Sequence, residues 1–226
     1  MLGLLRSAPN SRTFDGYVDT RGTAFSRLIW RSDVPVEPSE EDRQILLDNK
    51  ITTIIDMRTA GEVQRQRNAL SEDERFVYLW YPIEEGSAPP KCLDDVPLSY
   101  MSCVGSRGAA AVFKAIADAE DGVLFHCSAG KDRTGVISAV LLLLCDADRD
   151  TIVRDYVQSR YNNKERLERF LREHPEADVD VVMAREQSME RFLDMFAEAY
   201  GTAESFLSAA GLTAGQIERI RSKMLG

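Results

Sequence analysis

The front of the chain carries short β-branched runs, and from Thr134 onward the apolar positions recur at helical spacing. Ile51 to Met57 is nearly continuous and β-branched, as in a strand buried on both faces. Phe76 to Ile83 is a second such run, Gly122 to His126 a third, and Arg27 to Trp30 a weaker strand candidate. Ser39-Glu40-Glu41-Asp42, after Pro38, has the pattern of a capping box and opens a helix to about Asn49. Pro89, Pro90 and Pro97 mark a loop; helix follows, breaks near Gly105 and resumes from Ala109 to Ala119. Further helices are predicted over Val136–Cys145, Thr151–Tyr161, Lys164–Arg172, Asp178–Tyr200, Thr202–Ala210 and Ala214–Leu225, with Gly201 and Gly211 as helix ends. Strands separated by helices predict an α/β fold, a central mostly parallel sheet wrapped by helices with a helical C-terminal layer. No internal repeat interrupts the chain, and a single domain over residues 1–226 is expected.

Composition narrows the classes. The 226 residues are 44% hydrophobic and 29% charged, the mix of a globular protein. A net charge of −9 argues against nucleic acid or a stable membrane association, while leaving room for a local positive site. The longest apolar run, Val136 to Cys145, is too short to span a bilayer, and Met1 to Arg6 lacks the form of a secretory signal. Two histidines and four scattered cysteines, with no C-x-x-C pair, do not build a zinc ribbon or a disulfide framework. A reducing, cytoplasmic setting is expected, with unconventional export left open.

The candidate chemistry lies in His126-Cys127-Ser128-Ala129-Gly130-Lys131-Asp132-Arg133-Thr134-Gly135. A strand delivers Cys127 to its C-terminal end and a helix begins within a few residues. The turn between them gathers backbone N–H groups at the positive end of a helix dipole, a nest for a tetrahedral oxyanion. The same field favours the thiolate of Cys127 and makes it a competent nucleophile. Arg133 lies back over the loop, where its planar fork can grip phosphoryl oxygens as charge spreads in a transition state.

This pattern, H-C-x-x-x-x-x-R followed by a hydroxyl residue, resembles the active-site sequence of the protein tyrosine phosphatases. Ser128-Ala129-Gly130 matches the tyrosine-specific enzymes, and Lys131-Asp132-Arg133 is similar to a bacterial and fungal branch that includes a secreted mycobacterial member. Some members of that branch also act on phosphoinositides, and myotubularin-type lipid phosphatases likewise place Asp before the Arg. Asn10 to Gly16 looks like a degraded N-x-R-D-x-G-G opening, with Thr13 in place of an acid and Asp15 in place of a glycine. Arg31-Ser32-Asp33 and Ile55-Asp56-Met57-Arg58-Thr59-Ala60-Gly61-Glu62 resemble the branch's R-S-D and I-D-L-R-x-x-x-E stretches, and Tyr200 to Leu225 resembles its helical tail.

The resemblance implies a two-step, cofactor-free and metal-free hydrolysis: Cys127 attacks phosphorus, Arg133 and the amides of Ser128, Ala129, Gly130, Lys131 and Asp132 hold the oxygens, and water clears the thiophosphate ester. His126 would shape the loop. Thr134 would donate to the thiolate, or serve only as a first-turn helix residue. Similarity to the K-D-R branch favours Asp132 as the general acid. Asp94 or Asp95, in a Pro-flanked loop about 30 residues upstream of Cys127, and Glu84 or Glu85, stay open as alternatives. Lys131 would contact substrate oxygens or be a solvated flank. Asp56, Arg58 and Glu62 are expected as a structural ion pair near the loop, Cys103 and Cys145 as core thiols, and Cys92 as a candidate disulfide partner for oxidised Cys127. The expected substrate is a phosphotyrosine protein, possible dual specificity included. A phosphoinositide is the alternative; a phosphate-binding pseudophosphatase is disfavoured by the intact Cys127 and Arg133, and a sulfurtransferase, which also uses a loop cysteine, by Arg133 and the C-x5-R loop length, which suit phosphate better.

Overall fold

The computed structural model describes residues 3–84 and 89–226. Five strands form one sheet in the order β1-β2-β5-β3-β4: β1 Arg12–Thr13, β2 Ile29–Ser32, β3 Ile51–Asp56, β4 Val77–Trp80 and β5 Gly122–His126. All neighbours are parallel except β1, which runs antiparallel to β2. The central β5 is buried along its whole length. Its register puts His126 opposite both Ser32 of β2 and Asp56 of β3. The C-terminal ends of three parallel strands are therefore level, and they form the edge at which open α/β sheets place their ligands.

Side chains alternate across this sheet. Ile29, Ile55, Val123 and Phe125 face the larger core, and Trp30, Ile54 and Leu124 face a smaller one with Leu46 of α1 Glu40–Asp48. The capping box of α1 is formed: the Ser39 hydroxyl accepts from the Asp42 N–H at 3.1 Å, and the Asp42 carboxylate accepts from the Ser39 N–H at 3.3 Å.

A short helix α2, Ala60–Arg65, follows β3. Helices α3 Asp95–Val104, α4 Arg107–Asp118, α5 Asp132–Leu144, α6 Arg149–Asn162, α7 Lys164–Glu173, α8 Val179–Val182, α9 Glu186–Tyr200, α10 Ala203–Ala209 and α11 Ala214–Leu225 complete the chain. Helix α5 is apolar nearly all round because it is central to that layer, packed by α3, α6, α10 and α11. Among the described residues no helix is long and apolar enough to cross a membrane.

Four expectations need correcting. The strand expected at Arg27–Trp30 is shifted to Ile29–Ser32. The Phe76–Ile83 run is not buried on both faces: β4 is an edge strand, with Val77 57% and Trp80 46% exposed. Pro97 belongs to the first turn of α3, where a missing N–H costs nothing, rather than to the loop before it. The helix expected over Asp178–Tyr200 is two, because Met183 and Arg185 are extended where the chain turns Ala184 into the core.

Candidate active site

Cys127 follows the last residue of β5 and is buried. The next three carbonyls are all claimed from outside the loop. Ser128 O accepts from Arg166 Nη1 at 2.7 Å and from the Val34 N–H at 3.3 Å. Ala129 O accepts from Asn10 Nδ2 at 2.9 Å and Asn163 Nδ2 at 2.8 Å. Gly130 O accepts from Asn10 Nδ2 at 3.0 Å and Arg31 Nη2 at 2.7 Å. In a planar peptide unit C=O and N–H point opposite ways, so these bonds turn the amides of Ala129, Gly130 and Lys131 to the inner side. The loop runs directly into the first turn of α5, whose dipole adds to the same field. Gly130 is required at its position: φ is +63°, and a Cβ would lie 2.5 Å from Asp33 N and the Ser32 carbonyl.

The outward bonds come from a buried ionic scaffold. Asp155 accepts from Arg12 Nε at 2.8 Å and from Arg31 Nη1, and Arg12 Nη1 reaches Asn10 Oδ1 at 2.6 Å. The opening segment thus supports the loop through Asn10 and Arg12. Its two departures lie aside: Thr13 bonds Asp15, and Asp15 pairs with Arg27 at 3.2 Å. Asp33 accepts from the Asn10 N–H at 2.9 Å, and burial pushes its carboxyl up to about 6.

Arg133 is held edge-on by Glu62. Nη1 and Nη2 donate to the two carboxylate oxygens at 2.7 Å each, the fork-to-fork geometry of a strong pair. Ser128 Oγ also donates to Glu62 at 2.5 Å, as does the Thr59 N–H at 2.8 Å. Burial acts to raise the Glu62 carboxyl, but the Arg133 guanidinium outweighs it and holds the group far below the usual range. The expected grouping of Asp56, Arg58 and Glu62 therefore divides. Asp56 and Arg58 pair with each other at 2.6 Å in the core, where Asp56 also accepts from Tyr78, while Glu62 belongs to Arg133.

His126 is fully buried, and burial keeps its ring neutral by lowering its basicity. Asn68 Oδ1 accepts from the Leu70 N–H, which turns the Asn68 amide nitrogen toward His126 Nε2 at 2.9 Å. Nε2 is then the acceptor, and Nδ1–H donates to the Cys127 carbonyl at 3.1 Å.

Thr134 lies in the first turn of α5, and its hydroxyl donates to Cys127 Sγ at 3.2 Å. Asp132 opens α5; its Oδ1 accepts from Tyr100 at 2.5 Å. Lys131 is not a solvated flank: it is buried, and Nζ donates to the carbonyls of Val181 at 3.2 Å and Val182 at 2.6 Å, with Asp132 Oδ2 3.4 Å away. Among the described residues, no hydrogen bond or ion pair joins Asp94 or Asp95 to the loop. Asp95 accepts from the Lys91 N–H at 3.0 Å, and Asp94 lines a cleft of about 530 Å³ between α3 and α9. Glu84 is exposed, with its carbonyl 3.9 Å from Cys103 Sγ, and Glu85 is outside the described residues. Cys92 is exposed while Cys103 and Cys145 are buried; burial pushes the Cys145 thiol up to about 12. Asn163, Arg166, Asp155, Asn68 and Tyr100 carry no local pattern in the sequence, whereas Asn10 and Arg31 lie within the stretches quoted above.

The chain is similar in sequence to tyrosine phosphatases. It is 29% identical to a tyrosine-protein phosphatase of Nostoc commune over 206 residues, 82% of this chain and 70% of that one. It is 28% identical to the triple specificity protein phosphatase PtpB of Mycobacterium tuberculosis over 121 residues, 46% of this chain and only 44% of the relative's length. A solved structure of TpbA from P. aeruginosa, in complex with phosphotyrosine, aligns over 75% of this chain and 86% of that one, with 14% identity and a TM-score of 0.38. The model of the tyrosine phosphatase family matches residues 4–226, nearly the whole chain. With its loop cysteine, outward-bonded carbonyls and clamped arginine in place, the chain belongs to the tyrosine phosphatase family.

Proposed function

We propose that the chain is a single-domain cysteine-dependent phosphatase that hydrolyses phosphotyrosine in proteins. The observation that carries this reading is the convergence of Cys127, three inward amides and an arginine clamped by Glu62. The phosphoryl group binds in the nest, and the Cys127 thiolate attacks phosphorus in line as the bond to the tyrosine oxygen breaks. Asp132 gives its proton to the departing oxygen. Arg133 and the loop amides meet the charge spreading over the equatorial oxygens. Water then attacks the cysteinyl phosphate and gives a proton to Asp132. The P–S bond breaks, and the Thr134 hydroxyl, already directed at Sγ, stabilises the leaving thiolate. A reducing compartment such as the cytoplasm keeps Cys127 in its working form.

Phosphate release in EDTA from a phosphotyrosine peptide, a phosphoserine peptide and short-chain phosphoinositides, with Cys127→Ser as the blank, tests this. Phosphotyrosine turnover that vanishes in the variant is expected. Comparable phosphoserine turnover would make the enzyme dual-specific, and a dominant phosphoinositide would reassign the substrate. No Cys127-dependent turnover on any of them would overturn the mechanism.

A further inference from the structure

Asp132 ends a chain of two buried phenols. Tyr100, on α3, donates its hydroxyl proton to Asp132 Oδ1 at 2.5 Å, and the Tyr100 and Tyr156 hydroxyls lie 2.7 Å apart. Each phenol has one proton. That of Tyr100 is committed to Asp132, so Tyr156 is the donor in the second bond. Burial, reinforced by the Asp132 charge, pushes both phenols well above their ordinary range, and both stay protonated. The Tyr100 ring is seated edge-on against Tyr156 at 6.0 Å and against Phe192 of α9 at 6.1 Å. A Cβ at Gly135 would approach Tyr156 Cδ2 to 3.0 Å. The glycine that closes the loop sequence thus gives Tyr156 room to reach Tyr100.

A carboxyl group has two oxygens, and only one can carry the proton to a leaving group. The last torsion of an aspartate is soft, and Lys131 Nζ, 3.4 Å from Oδ2, gives shorter bonds to the Val181 and Val182 carbonyls, so the Tyr100 bond is the short contact that keeps the two oxygens from exchanging. We propose that Tyr100 is the positioning residue for the general acid Asp132: it holds Oδ1, fixes the carboxyl rotation and assigns the transferable proton to Oδ2, while Tyr156 orients Tyr100. This rests on Asp132 being the acid of the proposed function. In the transfer the Oδ2–H bond breaks as the leaving oxygen gains its proton, and the Tyr100 hydrogen bond remains on the carboxylate left behind. Tyr100 itself neither gains nor loses a proton.

The test is kcat/KM on a phosphotyrosine peptide and on an activated aryl phosphate whose phenol leaves without protonation. Tyr100→Phe is expected to lose about tenfold on the peptide and less than about twofold on the activated ester, as removal of help to an acid requires. In Asp132→Asn the same substitution is expected to add no further loss. Tyr156→Phe, which leaves the bond from Tyr100 to Asp132 in place, is expected to lose about two- to threefold on the peptide alone. Equal losses on the two substrates, or a full further loss in the Asp132→Asn background, would overturn the positioning role. Should Tyr100→Phe fail to fold, the same substrate contrast in Tyr156→Phe decides. If Asp132→Asn shows no contrast, the acid assignment fails and the proposal with it. A contrast in Asp132→Asn but none in Tyr100→Phe removes the positioning role alone.

Discussion

Replacing Glu62 by Gln keeps the shape of the side chain and removes its charge. The carboxylate accepts from both terminal nitrogens of Arg133, from Ser128 Oγ and from the Thr59 N–H and hydroxyl. An amide keeps one accepting oxygen and sets an NH₂ against donors that had shared the other. At least two charge-assisted bonds are lost, at roughly 1.5 kcal/mol each, or about 3 kcal/mol together. The pair is well shielded, its side chains 7% and 20% exposed, so little of this is screened. Chemical denaturation should show stability down by about 2–3 kcal/mol with an unchanged m-value. With Arg133 no longer aimed, kcat/KM on a phosphotyrosine peptide should fall about ten- to a hundredfold, or 1.4–2.7 kcal/mol. The pH dependence follows from the direction of the shift. The folded-state carboxyl is depressed, so its contribution is complete above the unfolded value of about 4.3 and is lost as pH falls toward the folded value. The stability gap between wild type and variant should be level from pH 8 to about 5 and shrink below about 4. A variant with kcat/KM within twofold of wild type and an unmoved denaturation midpoint would refute the clamp.

Three further outcomes are expected. Gly130→Ala should lose roughly 3 kcal/mol or more of stability, from left-handed backbone and the 2.5 Å approach to Ser32 and Asp33; a denaturation curve like that of wild type would contradict this. Thr134→Val removes the donor to Cys127 Sγ, so rapid-quench kinetics should show cysteinyl phosphate accumulating with kcat reduced about tenfold and kcat/KM much less; equal losses in both would remove the leaving-group role. Asp33 is raised to about 6 by burial, so its contribution is present below about 4 and is lost as pH rises through 6. Asp33→Asn keeps the acceptor for Asn10, and its stability relative to wild type should rise by up to about 3 kcal/mol between pH 4 and pH 7.5; a difference independent of pH would refute the shift.

What the sequence by itself determined is what local chemistry encodes. The capping box at Ser39, the β-branched run of β3 and the loop residues from Cys127 to Arg133 act on neighbours within a few positions, so type and spacing are enough to read them. The alternatives for the general acid stayed open because Asp132, Asp94 and Asp95 differ only in where the fold puts them. The same holds over Asp178–Tyr200: the helical spacing is continuous in sequence, while in the fold a break turns Ala184 into the core and leaves the Val181 and Val182 carbonyls to a lysine 50 and 51 residues away. The tertiary structure alone decided the partners of the loop. Asn10 reaches Ala129 across 119 positions, Glu62 reaches Arg133 across 71 and Tyr100 reaches Asp132 across 32. No period in a sequence specifies such pairs; they exist because parallel strands end level at one edge and bring distant polar groups into a buried space where each donor must find an acceptor.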